Sequence, residues 1–166
     1  MAATTPRKSL DRRWIVVADG GSARVLTISA DRTSLVTQRE MVSADIHRKS
    51  HDLTSDGPGR SFESGSTTRH AIEPKTDAHE LAKERFVGDV AAMLVEQNRA
   101  GAFDELVLIV TRAQAKTLKS ALDTATAARV THTLTKDLVK TPNAEIWDRL
   151  IEAGMMPPRP SLPRAT

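Results

Sequence analysis

The residues with chemical potential crowd into one stretch, SDGPGRSFESGSTTRHAIEPKTDAHE, residues 55–80. It carries Arg60, Arg69, His70, Glu73, Lys75 and His79. The guanidinium groups of Arg60 and Arg69 and the ammonium of Lys75 are suited to phosphate oxygens, and flexible glycines let a backbone approach such a ligand closely. These make Arg60, Arg69, His70 and Lys75 the candidate binding residues. Against this, Asp52, Asp56, Glu63, Glu73 and Asp77 interleave with the cations. The stretch is close to neutral, so ion pairs within it are the competing explanation. His70 follows Arg69 and precedes Glu73, and His79 lies further on. An imidazole near a carboxylate can exchange protons near neutral pH, which makes His70, Glu73 and His79 the candidate catalytic groups. The ordinary alternative for each is a structural hydrogen bond.

Other groupings are weaker. His47 and His51 are four residues apart, but no glutamate follows His47 as a zinc-protease helix requires, and no metal site is expected. Asp19, Glu80 and Asp104 would each fall near the end of an element. A two-metal nuclease needs such carboxylates gathered around its ions, whereas acids at strand ends and helix caps also serve ordinary turns. His132 is expected to be a satisfied strand residue. Gly20-Gly21 follows a strand but precedes another strand rather than a helix, so it is not a dinucleotide fingerprint. No phosphate loop or nucleophile elbow occurs, and no cofactor is expected.

Composition narrows the classes. The chain has 166 residues, the size of one domain, and 39% are apolar, enough for one core. There are two tryptophans, three phenylalanines and no tyrosine, which argues against base stacking as a mode of single-strand binding. The absence of cysteine excludes disulfides, thiolate metal sites and thiol nucleophiles. A net charge of +3 is a mild basic lean, much of it in terminal residues such as Arg7, Lys8, Arg12, Arg13, Arg159 and Arg164. No apolar run reaches the roughly 20 residues of a membrane span, and the first one breaks at Gly20-Gly21 before it could serve as a secretory core. A cytoplasmic protein without a membrane partner is the expectation.

The elements that would position these residues follow from apolar spacing. Residues 1–12 read as a disordered basic arm. RWIVVAD and ARVLTIS are two strands joined at Gly20-Gly21-Ser22, where glycine would supply a positive φ. SLVTQREMV, residues 34–42, is a third and more polar strand, suited to an edge. No period persists over residues 43–74, a long loop of the kind that is functional or disordered. A helix then starts at Asp77, which with Glu80 resembles a capping box, and carries the stripe Ala82, Phe86, Val90, Met93, Leu94 to an end at Gly101. ELVLIV, residues 105–110, is apolar enough for a central strand. A helix over residues 112–122 turns Ala115, Leu118, Ala121 and Leu122 inward. Residues 128–134 alternate Val130, His132 and Leu134 as a fifth strand. Pro142 opens a last helix with Ile146, Trp147, Leu150 and Ile151 buried, and a Pro-rich tail occupies residues 155–166. The order β-β-β-α-β-α-β-α predicts an α/β domain over residues 13–154: three layers, α/β/α, around a five-stranded mixed sheet of the ribonuclease H-like type.

Three stretches, WIVVADGGSARVL, SDGPGRSFESGSTTRHAIEPKTDAHELAKERF and KDLVKTP, resemble the bacterial host attachment family, described as proteins required for attachment to host cells. Members of that family are similar to the central domain of archaeo-eukaryotic peptide-chain release factors. The resemblance spans roughly residues 13–153. It implies a link to host-surface association and, through the release-factor likeness, contact with the ribosome or RNA by the loop before the first long helix. Release factors carry Gly-Gly-Gln in that loop. Here it holds Gly57-Pro58-Gly59-Arg60 and Glu63-Ser64-Gly65-Ser66 instead, which argues against peptidyl-tRNA hydrolysis and for a non-enzymatic role. The alternatives are a hydrolase acting on RNA or a tRNA ester, and a regulator that binds a protein partner at the 43–74 loop.

Overall fold

The computed structural model describes residues 10–46 and 73–161. A 3-10 turn at Leu10–Arg12 leads into β1 (Arg13–Ala18), β2 (Ser22–Ile28) and β3 (Leu35–Val42). After these come α1 (Glu73–Arg99), β4 (Glu105–Val110), α2 (Arg112–Ala121), the short α3 (Thr124–Ala127), β5 (Val130–Thr135) and α4 (Asn143–Glu152). The sheet order is β3-β2-β1-β4-β5. β1 runs antiparallel to β2 and parallel to β4, and β4 runs parallel to β5. β2 alone opposes the other strands, as the ribonuclease H-like arrangement requires.

Period-2 side chains divide each central strand between two cores. Val16 and Ala18 of β1, Val25 of β2 and Leu106, Leu108 and Val110 of β4 face α1 and α2, where Phe86, Val90, Leu94 and Leu118 close the first core. Ile15, Val17, Leu26, Val107 and Ile109 face α4, where Ile146, Trp147 and Leu150 close the second. Every residue of β4 is buried, because helices cover both its faces. The α1 stripe Ala82, Phe86, Val90, Met93 and Leu94 is buried as its spacing predicts. Gly101 has φ 72°, and the bonds Gly101 N–H to Asn98 O and Ala102 N–H to Gln97 O make a Schellman stop.

Several expectations change. α1 begins at Glu73, not Asp77, so residues 73 and 74 leave the expected loop. Pro74 in the first turn explains this, since its missing N–H has no partner to lose there. Gly20 and Gly21 do not adopt positive φ; among the described residues the positive values belong to Gly101, Gly154 and Arg32. The first hairpin is instead closed by Asp19, whose Oδ1 accepts the N–H groups of Gly21 and Ser22, each at 2.7 Å. Glycine is needed there for space: a Cβ on Gly20 would lie 2.7 Å from Cγ of Lys83.

Both edge strands carry a register shift. Val25 pairs with Arg39 but Leu26 with Thr37, leaving Gln38 as an extra residue of β3. Leu106 pairs with Val130 but Val107 with His132, leaving Thr131 extra in β5. The alternation Val130, His132, Leu134 is therefore not one face. Val130 packs on the α1 core and Leu134 on the α4 core. In α2, Leu118 and Leu122 are buried but Ala121 is exposed, because the stripe runs through Gln114, Leu118 and Leu122 at four-residue steps and the helix ends at Ala121.

Residues expected in the terminal arm and tail also take part in the fold. Arg12 bonds Asp104 at 2.9 Å and the carbonyl of Gly101. Arg13 pairs with Glu105 at 2.7 Å with both side chains largely buried, and Met156 is 6% exposed in the α4 core. Leu10 packs beside it.

Candidate functional site

A cavity of about 490 Å³ opens where β1 and β4 end, lined by Asp19, Gly20, Gly21, Ser22, Ile46, Lys83, Thr111, Ala113, Gln114 and Lys140. Crevices at the carboxyl ends of parallel strands are where open α/β sheets commonly bind ligands. The three characteristic sequence stretches meet here. WIVVADGGSARVL supplies the hairpin, HELAKERF supplies Lys83, and KDLVKTP supplies Lys140.

Each wall has a local cause. The hairpin is rigid because the Asp19 carboxylate holds two backbone N–H groups and Asp19 N–H bonds Ser22 O at 3.0 Å. Gly20 leaves room for the Lys83 stem to cross it, and Gly21 lies against Ile46. Lys83 is anchored to Glu80 at 3.1 Å, one turn back on α1. The loop bearing Lys140 is held from below by Arg24 of β2. Its guanidinium donates to Thr141 O at 2.6 Å, Leu138 O at 3.3 Å and Asn143 Oδ1 at 3.0 Å. Asn143, the first residue of α4, donates in turn to Leu35 O and Thr37 Oγ1 of β3. Val139 is buried between them, so Lys140 points outward. The last wall is the first turn of α2. Its cap residue Thr111 makes no side-chain cap bond, and Gln114 is 7% exposed with no side-chain hydrogen bond among the described residues. Two ammonium groups and a helix N-terminus against one carboxylate suit an anionic ligand.

The expected site residues fare unequally. Arg60, Arg69 and His70 lie outside the described residues, as do His47 and His51. Glu73 and Lys75 fall in the first turn of α1 rather than in a loop. His79 is half-buried on α1, one turn before Lys83, and does not line the cavity. Asp19 and Asp104 stand at opposite ends of the parallel pair β1 and β4, about 20 Å of strand apart, which overturns their grouping with Glu80 around metal ions. Among the described residues no three His, Asp or Glu side chains are placed to hold a metal. His132 is half-buried on the edge strand, its Nδ1 3.1 Å from Thr131 Oγ1. Arg24, Lys83, Gln114 and Lys140 were not singled out by sequence. Only the placement of Lys83 and Lys140 within the characteristic stretches could have signalled them.

A mixed α/β domain with a polar crevice at its strand ends defines the class. Within it, the family model for "Protein required for attachment to host cells" matches residues 14–150, and the chain belongs to that family. No curated protein matches the chain. Among solved structures, the crystal structure of archaeal translation termination factor aRF1 is similar at 10% identity and a TM-score of 0.46, covering 89% of this chain and 40% of that one. The chain thus spans less than half the length of that factor. Among the described residues no helix is long and apolar enough to cross a membrane.

Proposed function

We propose that the chain is a non-enzymatic cytoplasmic module that contacts RNA or the translation machinery through residues 55–80. The observation that carries this reading is where the end of that segment goes. It becomes the first turns of α1, the helix that carries Lys83 to the hairpin cavity and Lys140. Arg60, Arg69 and Lys75 supply the cations that pair with phosphates, and His70 lies among them. The sequence resemblance points the same way. The absence of Gly-Gly-Gln favours binding over hydrolysis, and attachment to host cells would follow indirectly, through what is translated.

The test is co-sedimentation with ribosomes from the native lysate over a salt series, beside a variant with Arg60, Arg69 and Lys75 changed to alanine. Three phosphate contacts on single-stranded RNA give a log–log salt slope of roughly −2, or about 20-fold weaker binding at 200 mM than at 50 mM salt. Retention that follows this slope and is lost in the variant supports the proposal. No retention at low salt refutes it. Turnover of a tRNA ester abolished by His70→Ala would replace it with a hydrolase.

A further inference from the structure

We infer that the cavity where β1 and β4 end is a binding site for a phosphate group carried by a nucleotide, held by Lys83, Lys140, Gln114 and the first turn of α2. The inference rests on the reading of the chain as an RNA-contacting module, but it uses none of Arg60, Arg69 or Lys75, so the two can fail separately.

Four independent observations converge on the same space. First, α2 has 10 residues, and its opening N–H groups at Arg112 and Ala113 precede the first intrahelical bonds, while Thr111 makes no side-chain cap bond. The partial positive charge of that helix end faces the cavity that Ala113 lines. Second, Gln114 is 93% buried beside it and makes no side-chain hydrogen bond among the described residues. Its amide atoms are not sealed from solvent, so they open into the cavity rather than onto a protein partner. Its NH₂ can donate to a phosphate oxygen. Third, Lys83 and Lys140 reach the same space from unrelated elements. The present partner of Lys83 is the exposed Glu80, a surface pair of little worth that a phosphate can displace. Fourth, Gly20 and Gly21 keep the hairpin wall free of their own side chains, and the Lys83 stem crosses it with Cγ 2.7 Å from where a Gly20 Cβ would stand.

The cavity is larger than a bare phosphate. Its 490 Å³ falls in the range of about 300–1,000 Å³ typical of small-molecule sites. Ile46 and Ala113 add an apolar wall. Asp19 spends one oxygen, Oδ1, on the hairpin N–H groups. Its other oxygen can accept from a sugar hydroxyl, much as an acid does toward ribose in dinucleotide sites. Among the described residues no aromatic side chain lines the space, and the groups that do are suited to phosphate and sugar.

The full chain should be titrated calorimetrically at low salt with inorganic phosphate, with adenosine monophosphate and with a short single-stranded RNA. The same titrations belong beside Lys140→Ala, Lys83→Ala and Gln114→Glu, with a thermal melt of each. Saturable binding of the mononucleotide, tighter than inorganic phosphate and weakened about tenfold by either lysine variant, is expected. Gln114→Glu, which sets a carboxylate against the phosphate, should weaken it further; if that variant does not fold, the two lysine variants on the surface decide alone. Tighter binding of RNA than mononucleotide assigns the phosphate to a polynucleotide, and the reverse assigns it to a free nucleotide. Absence of saturable binding by all three probes, or binding unchanged in both Lys140→Ala and Lys83→Ala, overturns the inference.

Discussion

Replacing Arg24 with alanine should both loosen the Lys140 loop and destabilise the whole fold. Arg24 ties β2 to three acceptors more than 110 residues away in sequence: Leu138 O, Thr141 O and Asn143 Oδ1. A hydrogen bond from a charged donor contributes about 1.5–3 kcal/mol. The 2.6 and 3.0 Å bonds should supply most of this, and the 3.3 Å bond little. Two terms subtract. The buried Nε has no partner now, a penalty that vanishes with the side chain, and the half-exposed loop lets water reach the orphaned carbonyls. The net loss is about 2–4 kcal/mol. For a chain of this length that lowers Tm by roughly 4–16 °C. Urea unfolding read by far-UV circular dichroism should show a lower midpoint with an unchanged m-value. Arg24→Lys should fall between, since one ammonium cannot reproduce a fork that reaches three acceptors. Arg24→Ala and Asn143→Ala should be non-additive by more than about 0.5 kcal/mol, because the two side chains touch. A stability for Arg24→Ala within about 0.5 kcal/mol of wild type would falsify this account and leave Val139 burial as what holds the loop.

Two further predictions concern charge. Glu105→Ala strands the Arg13 guanidinium in a site where the paired side chains are 13% and 9% exposed, and should cost about 3–5 kcal/mol in chemical denaturation. Arg13→Met combined with Glu105→Leu should recover most of that, and failure to do so would mean that the bond from Arg13 to Met155 O carries more than the ion pair. Asp123 caps α3, and hydrogen bonds from the Thr126 side chain and backbone, with Arg99 nearby, hold its carboxyl below the ordinary 3.8. Asp31 is lowered likewise, first by Ser29 and then by Thr33. A depressed pKa contributes stability that is fully present above the ordinary value and lost as pH falls through the lowered one. Melting curves from about pH 5 to about pH 2 should therefore fall less steeply for Asp123→Asn than for wild type, and parallel curves would contradict the assignment.

What could be read in advance was what local spacing decides. The α1 stripe from Ala82 to Leu94, the all-apolar run of β4 and the stop at Gly101 depend only on neighbours within a few turns, and all three hold in the structure. Edge-strand details did not share that property. The extra residues Gln38 and Thr131 exist only relative to a partner strand, so no periodicity within β3 or β5 could place Val130 and Leu134 on opposite faces. The start of α1 failed for a different reason. Asp77 and Glu80 form a good capping pattern, but Pro74 already offers an acceptable first turn, and local propensity alone does not rank the two. Gly20-Gly21 was placed correctly as a turn for a cause that does not operate. The steric demand comes from Lys83, more than 60 residues on.

That last contact bears on where the function lies. The stretch that first attracts notice, residues 55–80, is rich in groups that bind and titrate, yet charge alone cannot separate a working surface from a solvated one. The cavity gives a stronger criterion, because its features make no sense in isolation. A glycine pair without positive φ, a lysine folded over it, a glutamine whose side chain bonds nothing among the described residues and an arginine that fixes a distant lysine loop answer to no pattern within their own sequence stretch. Taken together they describe one concave, cationic space built from all three family-characteristic stretches. Arg24 stabilises the fold, but the surface pair of Lys83 and the unbonded side chain of Gln114 contribute little to it, and polar groups gathered without a structural return are where a ligand is to be sought.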